Sequence, residues 1–186
     1  HKAFYRVGIG KTILEETVSG ILEEFDSVSE ISIVVSPRDL DLAKSLFDGS
    51  NKVKLYLQEE PEGEGQALLK AFDKDFSGEF MLTTGDKIFA GRILRKLAGS
   101  DLAIALRKTD NPGHFGIVEL EDEKIRSVTE KPEEGKAVSN YKITSAYLLD
   151  SSFLPFVQKY TEDHYSLEKA LDEFVKNNDV KGVFVD

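Results

Sequence analysis

The feature that most constrains this chain is a rhythm in which short apolar runs alternate with segments of helical periodicity. Ile31 to Val35 is one such β-branched run. Ser36-Pro37-Arg38-Asp39 follows with an N-cap serine, a proline at the first helical position and an acid behind it, opening a helix that ends near Gly49. Val53 to Gln58 is the next strand and Gly65 to Phe72 the next helix; Glu79 to Thr84 is a strand closing at Gly85-Asp86, residues 91 to 98 are helical, and Leu102 to Leu106 is a buried strand. Strands separated by helices of about ten residues predict an α/β fold with a mostly parallel central sheet flanked by helices on both faces. Upstream, Thr12-Ile13-Leu14-Glu15 has capping-box spacing, and Leu14, Val18, Ile21 and Phe25 repeat at helical intervals, so 12 to 25 reads as an amphipathic helix.

From Phe115 the rhythm changes. Gly116 to Glu119, Lys124 to Thr129 and Lys142 to Leu149 are strands separated only by Glu121-Asp122-Glu123 or a polar loop, which predicts an antiparallel section in the second half. Helices at about 152 to 159 and 166 to 177 follow, the latter with Leu167, Ala170, Leu171, Phe174 and Val175 on one face, and the last strand is 181 to 185. No linker interrupts the pattern, so 1–186 reads as a single domain.

Composition narrows the chemistry. With 40% hydrophobic and 31% charged residues the chain has the balance of a soluble globular domain. No apolar run approaches the roughly 20 residues that span a bilayer, and the opening His1-Lys2-Ala3-Phe4 lacks the apolar stretch of a secretion signal, so a cytoplasmic protein without membrane contact is expected. A net charge of −10 opposes binding to nucleic acid, where affinity comes mainly from cations that neutralise phosphates. A small phosphorylated ligand is compatible, because a few lysines or backbone amides suffice for it. The absence of cysteine excludes disulfides, thiolate zinc sites and cysteine nucleophiles, and three scattered histidines argue against a histidine-built metal site. Any divalent ion must sit on carboxylates, which favours magnesium.

Polar groups just after parallel strands are the first candidates for a ligand site. Gln58 opens Gln58-Glu59-Glu60-Pro61-Glu62-Gly63-Glu64-Gly65-Gln66-Ala67, in which two glycines allow close backbone approach and Gln58 offers the donor and acceptor that a pyrimidine edge requires. Taken alone it also reads as a strand-to-helix turn with solvated acids. Asp86 follows Gly85 behind an apolar strand and can hold a magnesium ion that bridges phosphate oxygens, although Gly-Asp is also a common turn dipeptide. In Val128-Thr129-Glu130-Lys131-Pro132 the proline stops the strand, placing a carboxylate suited to sugar hydroxyls and a lysine suited to a phosphate at its edge, or simply a charged turn.

In this order the segments resemble the sugar-phosphate nucleotidylyltransferases, which include glucose-1-phosphate thymidylyl- and uridylyltransferases. Lys2-Ala3-Phe4 looks like the proline-lysine segment after that family's first loop, Gln58 through Ala67 like its nucleobase loop, and Gly85-Asp86 like its metal-binding turn. His114-Phe115-Gly116-Ile117-Val118 resembles its aromatic-Gly-Val-Val strand, Glu130-Lys131-Pro132 its Glu-Lys-Pro motif, and Ser139-Asn140 through Thr144 and Tyr147 its sugar-contact strand.

The resemblance implies a Rossmann-like nucleotidyltransferase fold with a nucleotide-binding half at about 1–107 and a sugar-phosphate-binding half at about 108–186. It implies that Gln58 and Gly63 recognise the base, Lys2 lies by the phosphates, and Asp86 binds Mg2+. Gly116, Glu130 and Asn140 would hold sugar hydroxyls, Lys131 would pair with the sugar phosphate, and Thr144 would line the same pocket. The substrates would be a nucleoside triphosphate, UTP or dTTP, and a sugar 1-phosphate; a homo-oligomer is compatible. The carboxyl edge of a single sheet would gather Gln58, Asp86 and Lys131 around one cleft.

The match has gaps. A glycine-rich loop that cradles the triphosphate should precede Lys2, and a second metal-binding aspartate should follow the strand ending at Asp186; neither lies in this sequence, so the stretch by itself is expected to be inactive. Asp163-His164-Tyr165 stands where an arginine or glutamate often precedes the helix at 166, which leaves sugar preference open. Three other readings stay open: a non-catalytic relative, a cytidylyl- or guanylyltransferase of the same fold, and an unrelated α/β binding module.

Overall fold

The computed structural model describes residues 1–186 apart from Ile9, Pro61, Lys74, 162–165 and Asp186. The chain opens with a 3-10 turn, Lys2–Phe4, and a small antiparallel hairpin of Arg6–Val7 (β1) with Lys11–Thr12 (β2). Neither is predicted from the sequence, since two-residue strands carry no periodicity to read. Helix α1, Ile13–Glu24, begins with the expected capping box: Thr12 Oγ1 accepts from Glu15 N–H, and Glu15 Oε2 accepts from Thr12 N–H at 2.7 Å.

Ile31–Val35 (β3) and Val53–Leu57 (β4) pair in parallel, joined by a 3-10 turn at Pro37–Asp39 and helix α2, Leu40–Leu46. Ser36 caps that turn differently from expectation, donating its hydroxyl to Asp39 Oδ2 at 2.8 Å rather than accepting from the backbone. Glu64–Lys70 (α3) leads to Glu79–Thr83 (β5), and Ala90–Leu97 (α4) to Ala103–Lys108 (β6). Gly116–Glu121 (β7) and Lys124–Glu130 (β8) form a hairpin whose turn residues Asp122 and Glu123 both have positive φ, the geometry of a type I′ turn. Tyr141–Asp150 (β9), Leu154–Lys159 (α5), Ser166–Asn177 (α6) and Lys181–Phe184 (β10) complete the chain.

Six strands form the main sheet in the order β5-β9-β6-β10-β8-β7. From the pairings, β5, β6, β7 and β10 point one way while β8 and β9 run against them. This is the α/β class with an antiparallel section that the sequence predicts. The inverted β9 lies between β5 and β6, a placement that no strand's own pattern can show.

Alternation along β6 explains why both faces are covered. Ile104 and Leu106 join Tyr147, Leu149, Phe153 and Phe174 in the core beneath α5 and α6, whereas Ala103 and Ala105 face Leu94 and Leu97 of α4. Phe153 and Phe174 are fully buried and meet edge to face at 5.1 Å, so truncating either would cost about 3–5 kcal/mol. A third cluster of Leu14, Val18 and Ala3 seats α1 against Ile31, Ile33 and Val53. No helix among the described residues is long and apolar enough to cross a membrane.

Candidate functional site

One wall of the site consists of turns fixed by backbone contacts. Gly63 precedes α3 with φ at 100°, a conformation that L side chains rarely adopt, and its carbonyl accepts from Gln58 Nε2 at 3.1 Å. Gln58 N–H donates to Val35 O at 2.9 Å, tying the loop to the end of β3. The glutamine amide therefore shapes its own loop.

The Gly85-Asp86-Lys87 turn is held from below. The buried Thr17 hydroxyl on α1 lies 2.9 Å from Ile13 O, 3.1 Å from Lys87 O and 3.4 Å from Gly85 O. A Cβ at Gly85 would stand 3.1 Å from Leu14 Cδ1 and 3.9 Å from Ala3 Cβ, so Ala3 packs by the turn and exposed Lys2 is its immediate chain neighbour. Helix α1 in turn meets α4 so closely that a Cβ on Gly91 would fall 1.9 Å from Gly20 O.

The opposite wall is made of strands. A cleft of roughly 400 Å³ runs between Gly63 and Glu64 on one side and Gly116, Glu130, Lys131, Ser145 and Tyr147 on the other, with Glu168 of α6 at its end. Gly116 pairs with Glu130 across the β7/β8 hairpin, and a Cβ there would come within 3.1 Å of Glu130 Oε2. Glycine thus leaves room for a carboxylate that is only 16% exposed. Lys131 N–H donates to Phe115 O at 3.0 Å, and its Nζ lies 3.3 Å from Glu130 Oε1. The Phe115 ring carries Lys142 Nζ 3.8 Å from its centroid.

Acids crowd this space. Partial desolvation, then Asp86 and Glu130, push the Glu64 carboxyl above its ordinary range, with Lys87 opposing; its exposed side chain limits the effect. Half-buried Glu168 is likewise raised by desolvation and by Glu130 and Glu64, against its own backbone N–H and Lys131. Burial, with Glu64, Glu168 and Glu130 nearby, holds the Tyr147 phenol neutral far above its usual range.

Of the predicted residues, Gly63, Gly116, Glu130 and Lys131 line the cleft, while Lys2, Gln58 and Asp86 lie off its lining, and the three expected at one sheet edge do not share one. Gln58 follows a strand of the two-stranded sheet, Asp86 follows β5, and Lys131 follows β8, which runs against β5. Glu64 is their common neighbour: it flanks Gly63, faces Glu130 and Lys131 across the cleft, and is within electrostatic reach of Asp86. Two further predicted residues, both on or beside β9, are also off the lining. Asn140 is exposed beside β9, its carbonyl accepting from Thr109 N–H at 2.9 Å, and is not part of the cleft lining. Thr144 is buried on the other face of β9, donating to Ala105 O at 3.1 Å; its neighbour Ser145 takes the cleft position. The β6/β9 register shifts by two residues at this point, from Ile104↔Tyr147 to Leu106↔Ile143, which keeps the alternation of the two faces. Asp163-His164-Tyr165 and Asp186 lie outside the described residues.

Sequence reasoning missed Glu64, Glu168 and Ser145. The two acids begin helices, where glutamate reads as a solvated first-turn residue; the available signal is that each of those helices starts at the cleft. For a divalent ion, the described residues hold no group of three or more acids or histidines arranged around a common point. Magnesium usually takes one or two carboxylates and completes its shell with water and phosphate, so Asp86 with Glu64 beside it fits an ion shared with a phosphorylated ligand.

The sequence matches the nucleotidyl transferase family over residues 2–186. It is 30% identical over 180 residues to the bifunctional protein GlmU of Methanococcus maripaludis strain C5, covering 94% of this chain and 42% of that protein. It is also 30% identical over 139 residues to glucose-1-phosphate thymidylyltransferase of Mycolicibacterium smegmatis, covering 68% of this chain and 47% of the relative. The chain thus spans less than half the length of these curated relatives. The fold matches a glucose-1-phosphate thymidylyltransferase structure from Bacillus anthracis with a TM-score of 0.82 at 18% identity, over 100% of this chain and 78% of that one. An apo UDP-glucose pyrophosphorylase superposes with a TM-score of 0.80 at 15% identity, over 98% and 82% of the two chains. With its motifs in order along nearly its whole length, the chain belongs to the nucleotidyl transferase family, on its sugar-phosphate nucleotidylyltransferase branch.

Proposed function

We propose that the protein, at its full native length, transfers a nucleotidyl group from UTP or dTTP to a sugar 1-phosphate. The observation that carries this reading is the cleft between the Gly63-Glu64 turn and the Gly116, Glu130, Lys131 wall, with Asp86 alongside. A base is recognised by backbone at Gly63, where Gln58 sets the loop. A sugar lies over Gly116 with hydroxyls on Glu130, and its phosphate pairs with Lys131. Lys2, next to the Gly85-Asp86 turn, faces the triphosphate side. Thr144 supports this wall from behind through Ala105, and Asn140 borders it at the surface.

A sugar-phosphate oxygen attacks the α-phosphorus in line; the new P–O bond forms as the bond to the β-phosphate oxygen breaks, and pyrophosphate leaves with the electron pair. No covalent enzyme intermediate is needed, in keeping with a chain that has no cysteine. Catalysis is alignment and charge compensation: Lys131 fixes the attacking phosphate, and Glu130 fixes the sugar ring. Magnesium on Asp86, when bound, offsets charge on the phosphates.

The test is pyrophosphate release by the full-length protein with four nucleoside triphosphates and a panel of sugar 1-phosphates. Turnover is expected with a pyrimidine nucleotide and only with magnesium. Asp86→Ala should lower kcat at least about 100-fold, on the scale of a lost electrostatic contact, while leaving the thermal midpoint unchanged. Full activity in that variant would refute the assignment of Asp86.

A further inference from the structure

Among the described residues four non-glycine positions have positive φ: Asp122, Glu123, Lys131 and Ser145. The first two are required by the β7/β8 hairpin turn. Lys131 and Ser145 have no such turn to explain them, and both line the cleft. Left-handed backbone is unfavourable for a residue with a Cβ, and it persists where surrounding structure enforces it, commonly at ligand sites.

Ser145 has φ at 53° in the middle of β9, where the pairing with β6 shifts register. Its neighbours Thr144 and Ala146 are buried on the far side, whereas Ile143, Ser145 and Tyr147 all face the cleft. A regular strand would already place alternate residues on one face, so the left-handed residue re-aims the Ser145 hydroxyl within that face. The hydroxyl comes within reach of the buried Tyr147 phenol, which keeps its proton and can donate a hydrogen bond. Two hydroxyls, able to donate and accept in relay, therefore line the same pocket as Glu64, Glu130, Lys131 and Glu168.

We propose that Ser145 is a specificity-determining residue of this site, its hydroxyl making a direct hydrogen bond to one ring hydroxyl of the sugar 1-phosphate with Tyr147 behind it. The inference rests on the transferase reading above. It assigns the strained bulge in β9 a purpose: the neutral Ser145–Tyr147 pair discriminates sugars by the position of a hydroxyl, where the carboxylates of Glu130 and Glu168 supply charge.

Two variants of the full-length protein separate this from a merely structural bulge. Ser145→Gly removes the hydroxyl and relieves the backbone; Ser145→Ala removes the hydroxyl and keeps the strain. Their thermal midpoints should diverge, with glycine equal to or about 2 °C above the parent and alanine at or below it. Both should nevertheless raise KM for the sugar 1-phosphate by roughly 3- to 10-fold, the worth of one neutral hydrogen bond, with KM for the triphosphate and kcat little changed. For the deoxy sugar 1-phosphate lacking the contacted hydroxyl, variants and parent should coincide. An unchanged sugar KM in Ser145→Gly overturns the proposal, as does an equal rise in both KM values. Absence of turnover in the parent with every substrate pair would instead sink the transferase reading itself.

Discussion

The two walls of the cleft are built by opposite means. The wall carrying Gln58, Gly63 and Asp86 is a set of turns held by side chains that bond nearby backbone: Gln58 on Gly63, and Thr17 on Gly85 and Lys87. The wall carrying Glu130, Lys131 and Ser145 is a set of strands on which like charges crowd and two residues hold left-handed backbone. The first wall takes its shape from glycines and helix packing. The second holds groups in positions they would leave if released, which is what a surface that must grip a polar ligand requires.

Three substitutions would sharpen or break that contrast. The largest effect should come from Gly91→Ala, because α1 and α4 have no room for the methyl and α1 carries the Thr17 that seats the Asp86 turn. A loss of roughly 3 kcal/mol in unfolding free energy, the upper part of the overpacking range, is expected from urea titration. A change within error would mean that the turn wall does not depend on this contact.

Lys131→Ala should instead leave stability within about 0.5 kcal/mol, since its side chain is 49% exposed. It should raise KM for the sugar 1-phosphate about tenfold or more, the scale of a charged hydrogen bond, with a smaller effect on the triphosphate. Equal effects on both substrates would contradict its place on the sugar wall.

The smallest effect concerns Glu168, whose carboxyl is raised in the folded protein by burial, Glu130 and Glu64, with Lys131 opposing. A raised carboxyl contributes stability that is complete below its unfolded value and is lost as pH rises through the folded one. Glu168→Gln removes that loss, so the variant should gain on the parent as pH rises above the ordinary carboxylate range, about 4, in paired urea titrations. A constant difference across that rise would show that Glu168 titrates normally.

Much of the fold is legible in the sequence because its signals are local. The capping box at Thr12, the β-branched run at Ile31 and the apolar face of the helix at 166 each depend on a few neighbouring residues. Strand direction is not local: β9 inserts between β5 and β6 because of where the chain has been, and nothing in Tyr141–Asp150 records it. The site divides the same way. Gly63, Gly116, Glu130 and Lys131 sit in motifs and do line the cleft, whereas which of Thr144 and Ser145 faces it depends on how β9 is laid against β6, which the motif does not record. Glu64 and Glu168 escape notice because an acid at a helix start is ordinary until the opposite wall is known.

The two faces of β9 leave the protein unusually free to change. Thr144, Ala146 and Leu148 tie the strand to its inner neighbours and Ile143 packs on the main core, while Ser145 reaches the cleft side. Mutations at Ser145 are separated from those that hold the sheet and its helices together, so selection can retune ligand choice there one step at a time without first acquiring compensating changes in the interior.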